Sequence, residues 1–104
     1  MTVHVVAGER LKRGLRRSAD EAELVMCEVS EVSKPWHSCS FVGGLHEVRF
    51  TMVAGESARA WIGGLDEYEV SVPGFVLASL EASSVVEADG RFDITVDALT
   101  IAEA

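Results

Sequence analysis

Residues 66–104 alternate apolar and polar positions between two turn signals, which restricts the fold to one containing an antiparallel ribbon. Asp66 to Val72 reads as a short strand, Pro73-Gly74 as a break and Phe75 to Ala88 as a long strand. Asp89-Gly90 then turns the chain, and Arg91 to Ile101 returns. Facing pairs discriminate between registers. A two-residue turn sets Phe92 against Glu87 and Ile94 against Val85, mixing apolar with charged positions. A three-residue loop of Ala88, Asp89 and Gly90 sets Phe92 against Val86, Ile94 against Ser84, Val96 against Ala82 and Ala98 against Leu80. It also places Gly90 where a positive φ is needed, so this register is the expected one. Glu87 then meets Arg91, and Ser83 meets Thr95, on the solvated side. Glu81 is left opposite Asp97, and Leu99 and Ile101 run out of phase with Val96 and Ala98. A bulge near Asp97-Ala98 would relieve both conflicts.

Upstream, Thr2 to Ala7 is compatible with a short strand. Glu9 to Ala22 fits a helix, with Leu11, Leu15, Ser18, Ala19 and Ala22 on one side of the wheel and the basic residues on the other. Gly14 and the acidic C-terminal end oppose it. Leu24 to Val32 reads as a strand, and Lys34-Pro35-Trp36 as a break. Ser38 to Val42 resumes the extended pattern and Gly43-Gly44 interrupts it. Leu45 to Val53 then continues with His46, Val48, Phe50 and Met52 on one face and Glu47, Arg49 and Thr51 on the other. Ala58, Trp61, Ile62 and Leu65 mark a short amphipathic helix over Ser57–Leu65, closed by Gly63-Gly64. Phe41–Glu47 echoes Trp61–Glu67, which we read as a shared turn device rather than a repeat. The expected fold is therefore α+β in a single domain spanning 1–104: one mainly antiparallel sheet of about five strands, with one or two short helices packed on one face.

At 104 residues the chain can bury about 65% of its unfolded surface without disulfide staples. No run approaches the roughly 18 apolar residues of a membrane span and no signal-like stretch opens the chain. A cytoplasmic protein without a membrane partner is the expectation. The net charge of −8 disfavours nucleic acid as a partner. Charge is unevenly placed, with five basic residues against Glu9 alone in residues 1–17, and sixteen acids against four basic residues beyond. The chain has no Asn and no Gln, which removes adenine readout by side-chain amides and N-glycosylation.

Reactive residue types gather around Trp36-His37-Ser38-Cys39. His37 and Cys39 are candidates for a thiol nucleophile with its imidazole base. Cys27, His37, Cys39 and His46 together make a candidate zinc set, although the spacing is not that of a compact metal motif. Against both stands a plain structural role, with Cys27 buried among Val25 and Val29. Neither a G-x-G-x-x-G, a P-loop, a G-x-S-x-G elbow nor a zinc-protease helix is present, and no cofactor is expected. Arg10, Arg13, Arg16, Arg17 and Trp36 are the candidate partner-binding residues. They suit an acidic protein partner, whereas the alternative is a solvated helix face with Arg16–Asp20 and Arg17–Glu21 pairs. Two functional readings follow. One is a small non-enzymatic interaction module forming a homodimer by sheet-face or edge pairing. The other is a small-ligand or metal binder, or an enzyme, with a pocket between the sheet and helix 57–65.

Overall fold

The computed structural model describes residues 2–67 and 69–103. Helix α1 (Val3–Glu21) leads into strands β1 (Cys27–His37) and β2 (Val42–Val53). Helix α2 (Glu56–Gly63) then precedes strands β3 (Phe75–Ala88) and β4 (Arg91–Ala102). The four strands form one antiparallel sheet in the order β1-β2-β4-β3. The class is the expected α+β, with one strand fewer. Asp66–Val72 is not a strand: its described residues form a turn and an irregular segment, and Val70 and Val72 are buried in the core as single anchors. Tyr68, counted in that strand, lies outside the described residues.

Helix α1 starts earlier than its pattern suggested and absorbs residues 3–7 of the segment 2–7 read as extended, with Thr2 remaining extended as its N-cap. The reason is burial, since Ala7 and Gly8 continue the buried stripe of Leu11, Leu15 and Ala19. Gly14, unfavourable in an isolated helix, lies where the Ser71 carbonyl and Val70 press on α1 and no Cβ would fit. Strand β1 runs straight through Lys34-Pro35-Trp36. Pro35 is tolerated because β1 is an edge strand, and it pairs with Gly44 on its one hydrogen-bonded side. Ser38–Phe41 is instead the hairpin loop, closed by the Ser38 amide donating to the Phe41 carbonyl at 2.8 Å. Gly43-Gly44 does not interrupt β2, and a Cβ on Gly43 would collide with the Thr100 carbonyl of β4. Its counterpart in the sequence echo, Gly63-Gly64, ends a helix, so the two segments share letters and not conformation.

Both helices cover one face, here called inner. His46, Val48, Phe50 and Met52 point there from β2, with Phe92, Ile94, Val96, Ala98 and Thr100 from β4. Trp61 of α2 meets Phe50 edge-on at 6.0 Å between ring centroids. Its Nε1–H donates to Ser18 Oγ of α1 at 3.0 Å, tying the helices together over the sheet.

The β3–β4 hairpin corrects the expected register in half its length. The turn has two residues, Asp89 at φ 53° and Gly90 at φ 74°, as a type I′ turn requires. Near it Glu87 faces Phe92 and Val85 faces Ile94. Between Ala82 and Ser84 the register slips, and beyond the slip Ala82 faces Val96 and Leu80 faces Ala98, as expected. Glu87 reaches Arg59 at 3.4 Å rather than Arg91. The irregularities sit on β3, at 82–84 and 77–79, and none occurs at 97–98, so Glu81 stays opposite Asp97. Strand β4 keeps its phase to the end. Thr100 is the inward residue, and Leu99 and Ile101 therefore point to the other face.

Candidate functional site

Neither helix covers that outer face, and register orders its side chains into rows across the four strands. Trp36, Gly43, Ile101 and Val76 form one row, and Lys34, Leu45, Leu99 and Ser79 the next. Val32, Glu47, Asp97 and Glu81 form a third, followed by Ser30, Arg49, Thr95 and Ser84. The first two rows make an apolar end: Leu45 is 46% exposed and Val76 52%, with Trp36, Leu99 and Ile101 half-buried between neighbours. Phe41, exposed in the β1–β2 loop, lies beyond it, whereas exposed Val42 is in the inward phase of β2.

The third row has an unusual charge pattern. Glu47, Asp97 and Glu81 stand side by side on adjacent strands, where like charges disfavour pairing. The neighbouring cations do not relieve them. Arg49 pairs with Asp93 at 3.5 Å, and Arg91 donates to Thr51 Oγ1 at 3.1 Å. Among the described residues none of the three carboxylates has a cation within ion-pair distance. A shallow groove of about 520 Å³ crosses this part of the face, bordered by Val32, Lys34, Leu45, Glu47, Glu81 and Asp97.

On the inner face a partly buried polar chain lies beneath the N-terminal half of α1. Ser33 Oγ donates to the Glu31 carboxylate, which can only accept, so the Ser33 oxygen accepts from His46 Nδ1–H at 2.6 Å. His46 Nε2 lies 2.8 Å from Thr100 Oγ1, against 3.5 Å from that hydroxyl to the Gly44 carbonyl. The nearer partner takes the single hydroxyl proton, leaving His46 neutral and protonated on Nδ1. Burial lowers the His46 pKa below its ordinary value; the Glu31 charge works against this and His4 of α1 reinforces it. Gly8 makes the arrangement possible, because a Cβ there would strike Glu31 and Ser33. His46 and Thr100 are both buried, and no buried side-chain polar atom among the described residues lacks a partner. The groups of this polar chain satisfy one another, from partly exposed Glu31 and Ser33 to buried His46 and Thr100.

The residues singled out from sequence fall as follows. Cys27 begins β1 and pairs with Thr51, whereas Cys39 is exposed in the loop beyond the far end. About 33 Å of strand separates them. His37 ends β1 opposite Val42, and His46 is turned inward opposite Ser33. The four do not converge, and among the described residues no group of three or more His, Cys, Asp or Glu is placed to hold a metal. Between α2 and the sheet, the place of the expected pocket, Trp61 and Phe50 pack against each other, and a shallow groove of about 290 Å³ at the end of α2 is bordered by Ile62, Gly63, Ala82 and Val85 of α2 and β3. Trp36 belongs to the outer apolar end. Arg10 is engaged internally, donating to the Pro73 carbonyl at 2.7 Å with its guanidinium 6.0 Å from the Phe75 ring centre. Arg13, Arg16 and Arg17 are exposed on the side of α1 away from the sheet, and the Arg16–Asp20 and Arg17–Glu21 pairs are not formed. Sequence reasoning set Glu81 opposite Asp97 but missed Ser33, Thr100 and the addition of Glu47 to that acidic row. Thr100 carried a signal, since it continues the inward phase of Ile94, Val96 and Ala98. No known family model matches the chain, nor does any curated protein or solved structure.

Proposed function

We propose that this protein is a small non-enzymatic interaction module that self-associates, as a dimer or higher assembly, through the outer face of its sheet. The observation supporting this reading is the uncovered face itself, with Leu45, Leu99, Ile101, Val76 and Trp36 gathered at one end. Antiparallel sheets often leave one face to water, but that face is then polar along its length, whereas one end of this face is apolar. Edge pairing is disfavoured on both sides. Edge strand β1 carries Lys34, Pro35 and an irregularity between Cys27 and Ser30, and edge strand β3 is broken by two register slips. Face contact remains. Four strands at about 4.8 Å spacing and ten residues of length present roughly 600 Å², comparable to the ~800 Å² per partner of a standard interface.

The test is light scattering over a concentration series on wild type and on Leu45→Lys. Wild type is expected to gain mass with concentration and Leu45→Lys to lose most of that gain. Because Leu45 points away from the core, the variant keeps its thermal stability. A wild type that remains monomeric at high micromolar concentration contradicts the proposal.

A further inference from the structure

We infer that the occupant of the outer face is the α1 helix of a second copy, docked head-to-tail, rather than the same face of a symmetric partner. The inference rests on the self-association reading above. The apolar end spans only two or three rows, roughly 250 Å² by strand and residue spacing, too little for a stable interface. The acidic row must therefore be covered as well. A twofold axis along the strands lays Glu47 and Asp97 of one copy over Asp97 and Glu47 of the other. It offers one lysine per copy, Lys34, against three carboxylates. A twofold across the strands that covers the apolar end lays the carboxylates on each other or on leucine and isoleucine; the one register that brings Arg49 over Glu47 leaves Asp97 and Glu81 over Thr95 and Ser84 and sets Leu45 and Leu99 over Thr51 and Asp93. Like-charge contact or unpaired desolvation of this kind opposes a face-to-face dimer.

The complement exists elsewhere on the same chain. Arg13 lies on the outward ridge of α1, with Arg16 and Arg17 on either side of it, exposed and without ion pairs among the described residues. Their spread matches the row of three acids, which is about 10 Å wide over two strand spacings. Toward its start the same ridge passes Glu9, whose charge is offset by Lys12 at 3.3 Å, and reaches Val5, which is 46% exposed. Val5 and Arg13 are about 12 Å apart along a helix, and Ile101 and Asp97 about 13 Å apart along a strand. An α1 helix laid along β4 would thus place Val5 on the apolar end and the arginines on the carboxylates together. The result is a helix on each face of the sheet. Because the two contacting surfaces differ, the assembly grows as a ring or an open filament.

Two variants and their mixture test this. The first is Arg13→Gln with Arg16→Gln and Arg17→Gln; the second is Glu47→Lys with Glu81→Lys. All five positions are exposed, and circular dichroism should match wild type. Each variant alone is expected to associate roughly tenfold or more weakly than wild type, as loss of several ion pairs implies. Their equimolar mixture is expected to form a 1:1 complex that stops there, since only one functional junction remains. Raising salt should weaken the wild-type assembly. If the arginine variant associates as wild type does, the helix is not the occupant and the head-to-tail inference falls, while face-mediated association stands. A mixture that stays monomeric beside an associating wild type overturns the inference in the same way. A monomeric wild type removes the self-association reading beneath it.

Discussion

His46 shows how much a single residue in the inward phase decides. It lies among Val48, Phe50 and Met52, and a histidine on such a face must find partners for both ring nitrogens. It finds them in Ser33 and Thr100. The position of His46 on that face was legible from strand alternation. Its partners were not, because they come from β1 and β4 and depend on strand order. Removing one partner leaves a buried group unsatisfied: Thr100→Val should cost about 1–3 kcal/mol in urea denaturation. The neutral state has a pH signature. With the folded pKa of His46 below the unfolded value, the unfolded chain binds the extra proton first as pH falls. The contribution from His46 is therefore complete above about pH 6.5 and declines as pH drops toward the folded pKa. Stability measured at pH 7.5 should exceed that at pH 5.5, and the part due to this residue should vanish in His46→Leu. Nitrogen-15 spectra of the imidazole at pH 7.5 should show the proton on Nδ1, and an Nε2–H signal would contradict the hydrogen-bond assignment.

At the scale of elements, periodicity was a good guide wherever one period held for several residues. The α1 stripe, the two faces of β2 and the amphipathic α2 follow that rule. It failed where geometry changes without a change in letters. Pro35 reads as a break in isolation, yet an edge strand accommodates it. The alternation of 66–72 imitates a strand, but Val70 and Val72 are anchors of an irregular segment. In the β3–β4 hairpin the type I′ turn was outweighed by facing-pair chemistry, although the slip at 82–84 reconciles both. A Gly90→Val substitution, which strains a positive φ, should destabilise by about 1–2 kcal/mol. Trp61 is the corresponding pivot for the helices, and Trp61→Ala should cost about 3–5 kcal/mol by thermal or chemical unfolding. Trp61→Phe should cost less, losing mainly the bond to Ser18.

At the scale of the whole molecule, the sheet separates two surfaces of opposite character: basic on the outward ridge of α1, acidic and apolar on the bare face. The charge asymmetry was visible in the sequence, whereas its placement on opposite sides required the fold. Leu99 and Ile101 seemed to announce a bulge because one polar face was assumed; they are the apolar end of the uncovered face instead. That surface is the centre of the account, and solvent access to its methyl groups reports on it directly. Attenuation of the Leu45, Leu99, Ile101 and Val76 methyl signals by a soluble paramagnetic agent, followed against protein concentration, is the decisive measurement. The account predicts that these methyls become progressively shielded as concentration rises, while exposed Val53, at the far end of the same face, changes less. Equal attenuation of all four at every concentration would contradict it.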